Sequence, residues 1–143
     1  MNATISLSIS RLQEVIYAHS AALRLWTGDD RALVTDEHST LLNIFINEEA
    51  DRIAMDLSFV VESVDRSDAD IIALKCSLGN GTSVRMWQRS IETAVCAAVI
   101  ARIMDNRHLD GGEVYIRDRA GLIDNLRRQA LTFTLPGNIA RGA

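Results

Sequence analysis

Eight consecutive apolar residues, "AVCAAVIA" at positions 94 to 101, set the condition that most limits how this chain can fold. The run is far short of the ~20 residues that cross a bilayer. It lies in a segment, about 87 to 106, in which Ile91, Ala94, Val95, Ala98, Val99, Ile103 and Met104 recur at helical spacing. Alanines widen the apolar face almost all round between residues 94 and 101. A helix of that kind belongs at the centre of a core, and the rest of the chain must enclose it.

Three other segments read as helices. "SRLQEVIYAHSAALRLW" places Leu12, Val15, Ile16, Ala22, Leu23 and Trp26 on one stripe, with Ser10 as its cap and Gly28 past its end. Thr35, followed by Asp36 and Glu37, opens a second helix with carboxylates against the positive end of its dipole. Leu41, Leu42, Phe45, Ile46, Ala50, Ile53, Leu57, Val60, Val61 and Val64 then continue at helical spacing, which predicts a helix from about 36 to 64. That helix would be ~43 Å long at 1.5 Å per residue. The last helix, about 114 to 130, carries Ile116, Ala120, Ile123, Leu126 and Ala130 on one side and four arginines, Arg117, Arg119, Arg127 and Arg128, on or near the other.

Between the helices the period changes to two. Ile5, Leu7 and Ile9 alternate with Thr4, Ser6, Ser8 and Ser10; Ile72, Leu74, Cys76 and Leu78 alternate with Ala73, Lys75 and Ser77; Leu131, Phe133 and Leu135 alternate before Pro136-Gly137. "GNG" after the second run signals a hairpin with a short returning arm, "TSVRM". Either the first strand pairs with 71–78 and lies on the helices, or it completes a sheet with a neighbouring copy. The pairing within the protomer is the simpler of the two, and it still leaves at least one sheet edge free to invite another chain. Ile5, Leu7, Ile9, Ile72, Leu74, Leu78, Leu131, Phe133 and Leu135 are therefore candidates for contacts between subunits. The expected fold is mostly α (α+β): about four helices with a small antiparallel sheet or hairpin, in one domain over residues 1–143. That length buries roughly two-thirds of the unfolded surface.

The 15 basic and 19 acidic residues give a formal net charge of -4, which gives no whole-protein attraction to nucleic acid or anionic lipid. Two cysteines are too few for a disulfide scaffold in a chain of this length, so Cys76 and Cys96 are expected as buried thiols. The start, "MNATISLSIS", has neither a basic opening nor a continuous apolar core, so a protein that is cytosolic, or is assembled from the cytosol, is expected.

No pattern reaches the form of a catalytic site. "NRHLDG" begins like a calcium loop, but Arg117 stands where a bidentate Glu is required. His19, His38 and His108 lie in different segments with no metal-ligand spacing. "GNGTS" lacks the lysine of a phosphate-cradling loop. Glu48, Glu49, Asp51 and Asp56 follow a helix face, with Arg52 placed to pair with Glu48 at i, i+4. Neither an enzymatic activity nor a cofactor or metal is expected. The arginines of the last helix are interspersed with Asp118 and Asp124, which makes a mixed-charge solvated face the simpler reading than a DNA-binding one.

Two stretches resemble a known family. "DDRALVTDEHSTLLNIFINEEADRI" is an acidic loop and a capped helix reading Leu-Leu-x-x-Phe-Ile with acidic residues after it, and "RSIETAVCAAVIARIMDNR" is a second helix, small and apolar through its middle, ending in Asp-Asn-Arg. Together, over roughly residues 29 to 107, they resemble the head–tail connector (adaptor, head-completion or neck) proteins of tailed bacteriophages. The resemblance implies a structural virion protein, assembled in the host cytoplasm. Its subunits would form a homo-oligomeric ring, docked between the portal protein and the tail or other neck proteins. The ring would surround the DNA channel, with non-specific contact to the DNA within it. Tail-terminator and other neck proteins are close neighbours of that class, and a small helical regulatory or adaptor protein is the alternative.

Overall fold

The computed structural model describes residues 1–134, with side chains as far as Leu131. In chain order the elements are β1 (Asn2–Ser8), α1 (Ile9–Thr27), α2 (Ser39–Asp56), β2 (Val61–Asp65), β3 (Ile71–Ser77), α3 (Val84–Asn106) and α4 (Gly112–Thr134). Single 3-10 turns at Asp30–Ala32 and Asp36–His38 join α1 to α2. The fold is mostly helical, four helices with a three-stranded antiparallel sheet of order β1-β3-β2.

α3 is the centre. All eight residues from Ala94 to Ala101 are buried, as are Trp87, Ile91, Ile103 and Met104. Small side chains let neighbours approach closely from every direction. α4 packs along one side of α3, α2 along another, and the sheet and α1 close the remainder.

β1 pairs with β3 inside the protomer, from Asn2 opposite Ser77 to Ser8 opposite Ile71. Period-two alternation then sends Ile5, Leu7, Ile72, Leu74 and Cys76 to the helices and leaves Thr4, Ser6, Ala73 and Lys75 outside. The corner from β1 into α1 is held by Asp70, just before β3. Its carboxylate accepts from Ser10 N at 2.9 Å and from Ser8 Oγ at 2.8 Å. Those bonds, the Ser10 amide first, hold the Asp70 carboxyl below the usual carboxylate range. Gly28 ends α1 at φ 67° and its N–H donates to the Arg24 carbonyl; the left-handed conformation is the reason for glycine there.

Four sequence expectations are corrected. Ser8, not Ser10, caps α1 by accepting from Arg11 N, and Ile9 opens that helix instead of ending the first strand. The second helix does not run to residue 64; it stops at Asp56, and Val61–Asp65 form β2. A bulge between Val61 and Ser63 explains the misleading pattern. It places Val61 opposite Cys76 and Val64 opposite Leu74, so two residues three apart share the inward direction, as they would on a helix. The hairpin is not at "GNG" either. It is formed by β2 and β3 around residues 66–70, while Ser83, after "GNG", caps α3 by accepting from Met86 N. Finally, Leu131 and Phe133 belong to α4 and not to a third alternating strand; Leu135 lies outside the described residues.

Candidate functional site

The fold commits most of the candidate interface residues to the protomer's own core. Ile5, Leu7, Ile9, Ile72, Leu74 and Leu78 are all buried. With a hydrophobic face only one sheet deep, the helices claim every inward side chain, and none of these six can reach a second copy. Leu131 is half-exposed on α4. On the strands, backbone remains available. β1 is an outer strand, and among the described residues no other strand pairs with its free edge. Its seven residues, Asn-Ala-Thr-Ile-Ser-Leu-Ser, carry no side-chain charge.

The helix carboxylates are paired with arginines, and Glu49 lines a cavity of about 570 Å³ together with Arg52, Arg102, Asp105, Glu113 and Arg119. Arg102 pairs with Glu48 at 2.9 Å, Arg66 with Asp51 at 2.6 Å and Arg119 with Asp56 at 2.7 Å. Arg52 bonds Glu49, the buried member, in place of the expected Glu48. Arg102 also lies over the Phe45 ring, 4.0 Å from its centre. Glu49 also lies 3.9 Å from Arg102, so Glu48 and Glu49 share that guanidinium while Asp51 and Asp56 meet Arg66 and Arg119.

Sequence reasoning missed a cleft. Arg11, Val15 and His19 succeed one another at i, i+4 along α1, and face Arg89, Glu92, Cys96, Ala97 and Ile100 of α3 and Tyr115 and Asp118 of α4 across an open volume of about 420 Å³. His19 Nε2 lies 2.6 Å from the Tyr115 hydroxyl, with the rings edge to face. Burial, and then the nearby Asp118, push the Tyr115 phenol up from its ordinary value. Arg11 reaches Glu92 at 3.7 Å. A second hollow, lined by Arg11, Val84, Arg85, Gln88, Arg89 and Glu92, continues the cleft towards the start of α3. The thiol lining the cleft is Cys96, and burial pushes it up to about 12. Cys76, on β3, is also buried and held at about 11.

The α1 stripe, with its spacing of four, is visible in the sequence. Its meeting with Tyr115, 96 positions from His19, is a product of tertiary packing. Chemically the cleft offers an apolar floor, a hydrogen-bonding pair at one end and guanidinium groups at the other. Among the described residues no group of His, Cys, Asp and Glu could hold a metal ion, and no helix is long and apolar enough to cross a membrane. No protein-family model, curated protein or solved structure matches the chain.

Proposed function

We propose that this chain is a structural subunit of a phage-like neck, a head–tail connector that assembles as a ring between portal and tail and has no substrate to turn over. The observation that carries the reading is β1: an uncharged strand of seven residues with its outer edge open. An edge of this kind is a template for a strand from a neighbour. Large apolar side chains on the surface support the same reading. Leu25 is 83% exposed, Trp26 82% and Met55 74%, so these apolar side chains are available to a neighbouring subunit. In this reading the protein is made in the host cytoplasm and resides in the virion.

Light-scattering mass on purified protein tests the proposal, alone and mixed with a phage portal or neck protein. Large closed oligomers are expected. A monomer that never joins a ring or a particle, under either condition, contradicts it. Should the rings bind tail protein but not portal, the tail-terminator assignment replaces the connector one. The cleft favours a second reading, a small helical adaptor; a stable monomer that binds one partner segment would establish that reading.

A further inference from the structure

Two surfaces of the chain share no residue and are complementary in charge and apolarity. The first is the cleft with the hollow that extends it. Along α3 it runs from Arg85 to Ile100, about 22 Å at 1.5 Å per residue. Arg85 and Arg89 stand at its open end, and neither guanidinium has a hydrogen-bond or ion-pair partner among the described residues. Val15, Ala97 and Ile100 give the apolar floor, and the His19–Tyr115 pair lies beside it.

The second surface is the outward side of α2 with the turn before it. Glu37, Leu41, Ile44, Glu48, Asp51 and Met55 succeed one another at alternating steps of four and three, which aligns them in one stripe. All six are exposed. Arg102 and Arg66 already engage Glu48 and Asp51, whereas Glu37 has no ion pair among the described residues. The stripe therefore presents a free carboxylate at one end and two large apolar side chains, Leu41 and Ile44, about half exposed, next to it. Glu37 and Ile44 are roughly 11 Å apart along the axis, and Arg89 and Ala97 are about 12 Å apart along α3. The acidic-to-apolar spacing of the stripe thus matches the basic-to-apolar spacing of the cleft.

We propose that the α2 stripe of one copy seats in the α1/α3/α4 cleft of the next. Glu37 meets Arg85 and Arg89, and Leu41 and Ile44 cover Val15, Ala97 and Ile100. The occupant is a second copy because one chain carries both complementary halves. The inference rests on the ring reading and specifies it: two different surfaces make a head-to-tail contact, and such contacts close into rings when the rotation permits. The ion pairs set register and partner orientation, and the apolar step excludes water.

Sedimentation velocity over a concentration series, with circular dichroism to confirm folding, tests the contact. Two variants of the whole chain are compared with wild type: R85E/R89E, which breaks the cleft, and E37R/I44D, which breaks the stripe. Each alone is expected to associate at least about tenfold more weakly, since reversed charges at a contact repel. An equimolar mixture is expected to recover association that neither variant shows alone, because the intact stripe of one meets the intact cleft of the other. R89E combined with E37R in one chain is expected to restore assembly. If both variants assemble as wild type does, this contact is wrong and the ring reading stands. If wild type stays monomeric throughout, both fall. A mixture that recovers association, with wild type growing into open filaments, keeps the contact and removes the ring. Saturable binding of an acidic peptide in the cleft that leaves assembly intact assigns the cleft to another occupant and overturns the proposal.

Discussion

The two outer strands of the sheet are treated differently. β2 is five residues long, bulged between Val61 and Ser63, and carries Glu62 and Asp65. Charge and a bulge are the devices by which proteins stop a sheet edge from recruiting another chain. β1 is longer, regular in register along its whole length and free of side-chain charge. Both strands rest on β3 and on the same core, so the difference is not one of stability demand. One edge is guarded and the other is left usable. Under the ring reading proposed above, only the β1 side is left for a neighbour to pair with.

The largest expected effect lies at the strand both edges share. Leu74→Ala on β3 removes a fully buried side chain and is expected to cost about 2–5 kcal/mol in urea unfolding, the usual range for such a truncation. If it left stability intact and abolished assembly, Leu74 would be an interface residue after all. The next effect separates the edges. Ser6→Lys places charge on β1 and is expected to weaken association about tenfold, roughly 1.4 kcal/mol, with unfolding changed by less than about 0.5 kcal/mol. Ser63→Lys on the already guarded β2 is expected to leave the mass unchanged; equal effects at the two positions would erase the distinction.

The smallest effect is electrostatic. Hydrogen bonds hold Asp70 and Asp65 below the usual carboxylate range, Asp70 from Ser10 and Ser8 and Asp65 from Ser67. A carboxyl whose folded-state pKa is depressed contributes stability above its unfolded value, and loses it as pH falls through the folded one. Thermal stability should therefore decline below about pH 4. Asp70→Asn should flatten that decline and lower Tm at neutral pH, because Asp70 fixes the β1–α1 corner. Asp65→Asn should do less, because Asp65 bonds only within its own turn. Identical acid limbs for the two variants would show that Asp70 does not anchor β1.

Much of the fold was legible where one period dominates. The alanine-rich run is central, and period two located the strands in "TISLS" and "IALKCS", although Ile9 and Ser10, which continue the first alternation, already belong to α1. β2 was hidden by its bulge, which converts a strand's alternation into a spacing of three. "GNG" misled because a turn signal does not specify the element after it, and Ser83 opens a helix there. At the candidate interface, alternation identified the right strands but the wrong side of them: the apolar residues are inward, and the usable feature is backbone. The cleft could not be read in advance, since Arg11, Arg89 and Tyr115 meet only through the packing of α1 and α4 about α3.

Amide hydrogen exchange, measured in dilute and assembled protein, tests the asymmetry directly. Residues 2–8 are expected to gain protection on assembly while residues 61–65 keep their rates. Assembly with no change at 2–8, or with equal gains in both strands, would contradict it.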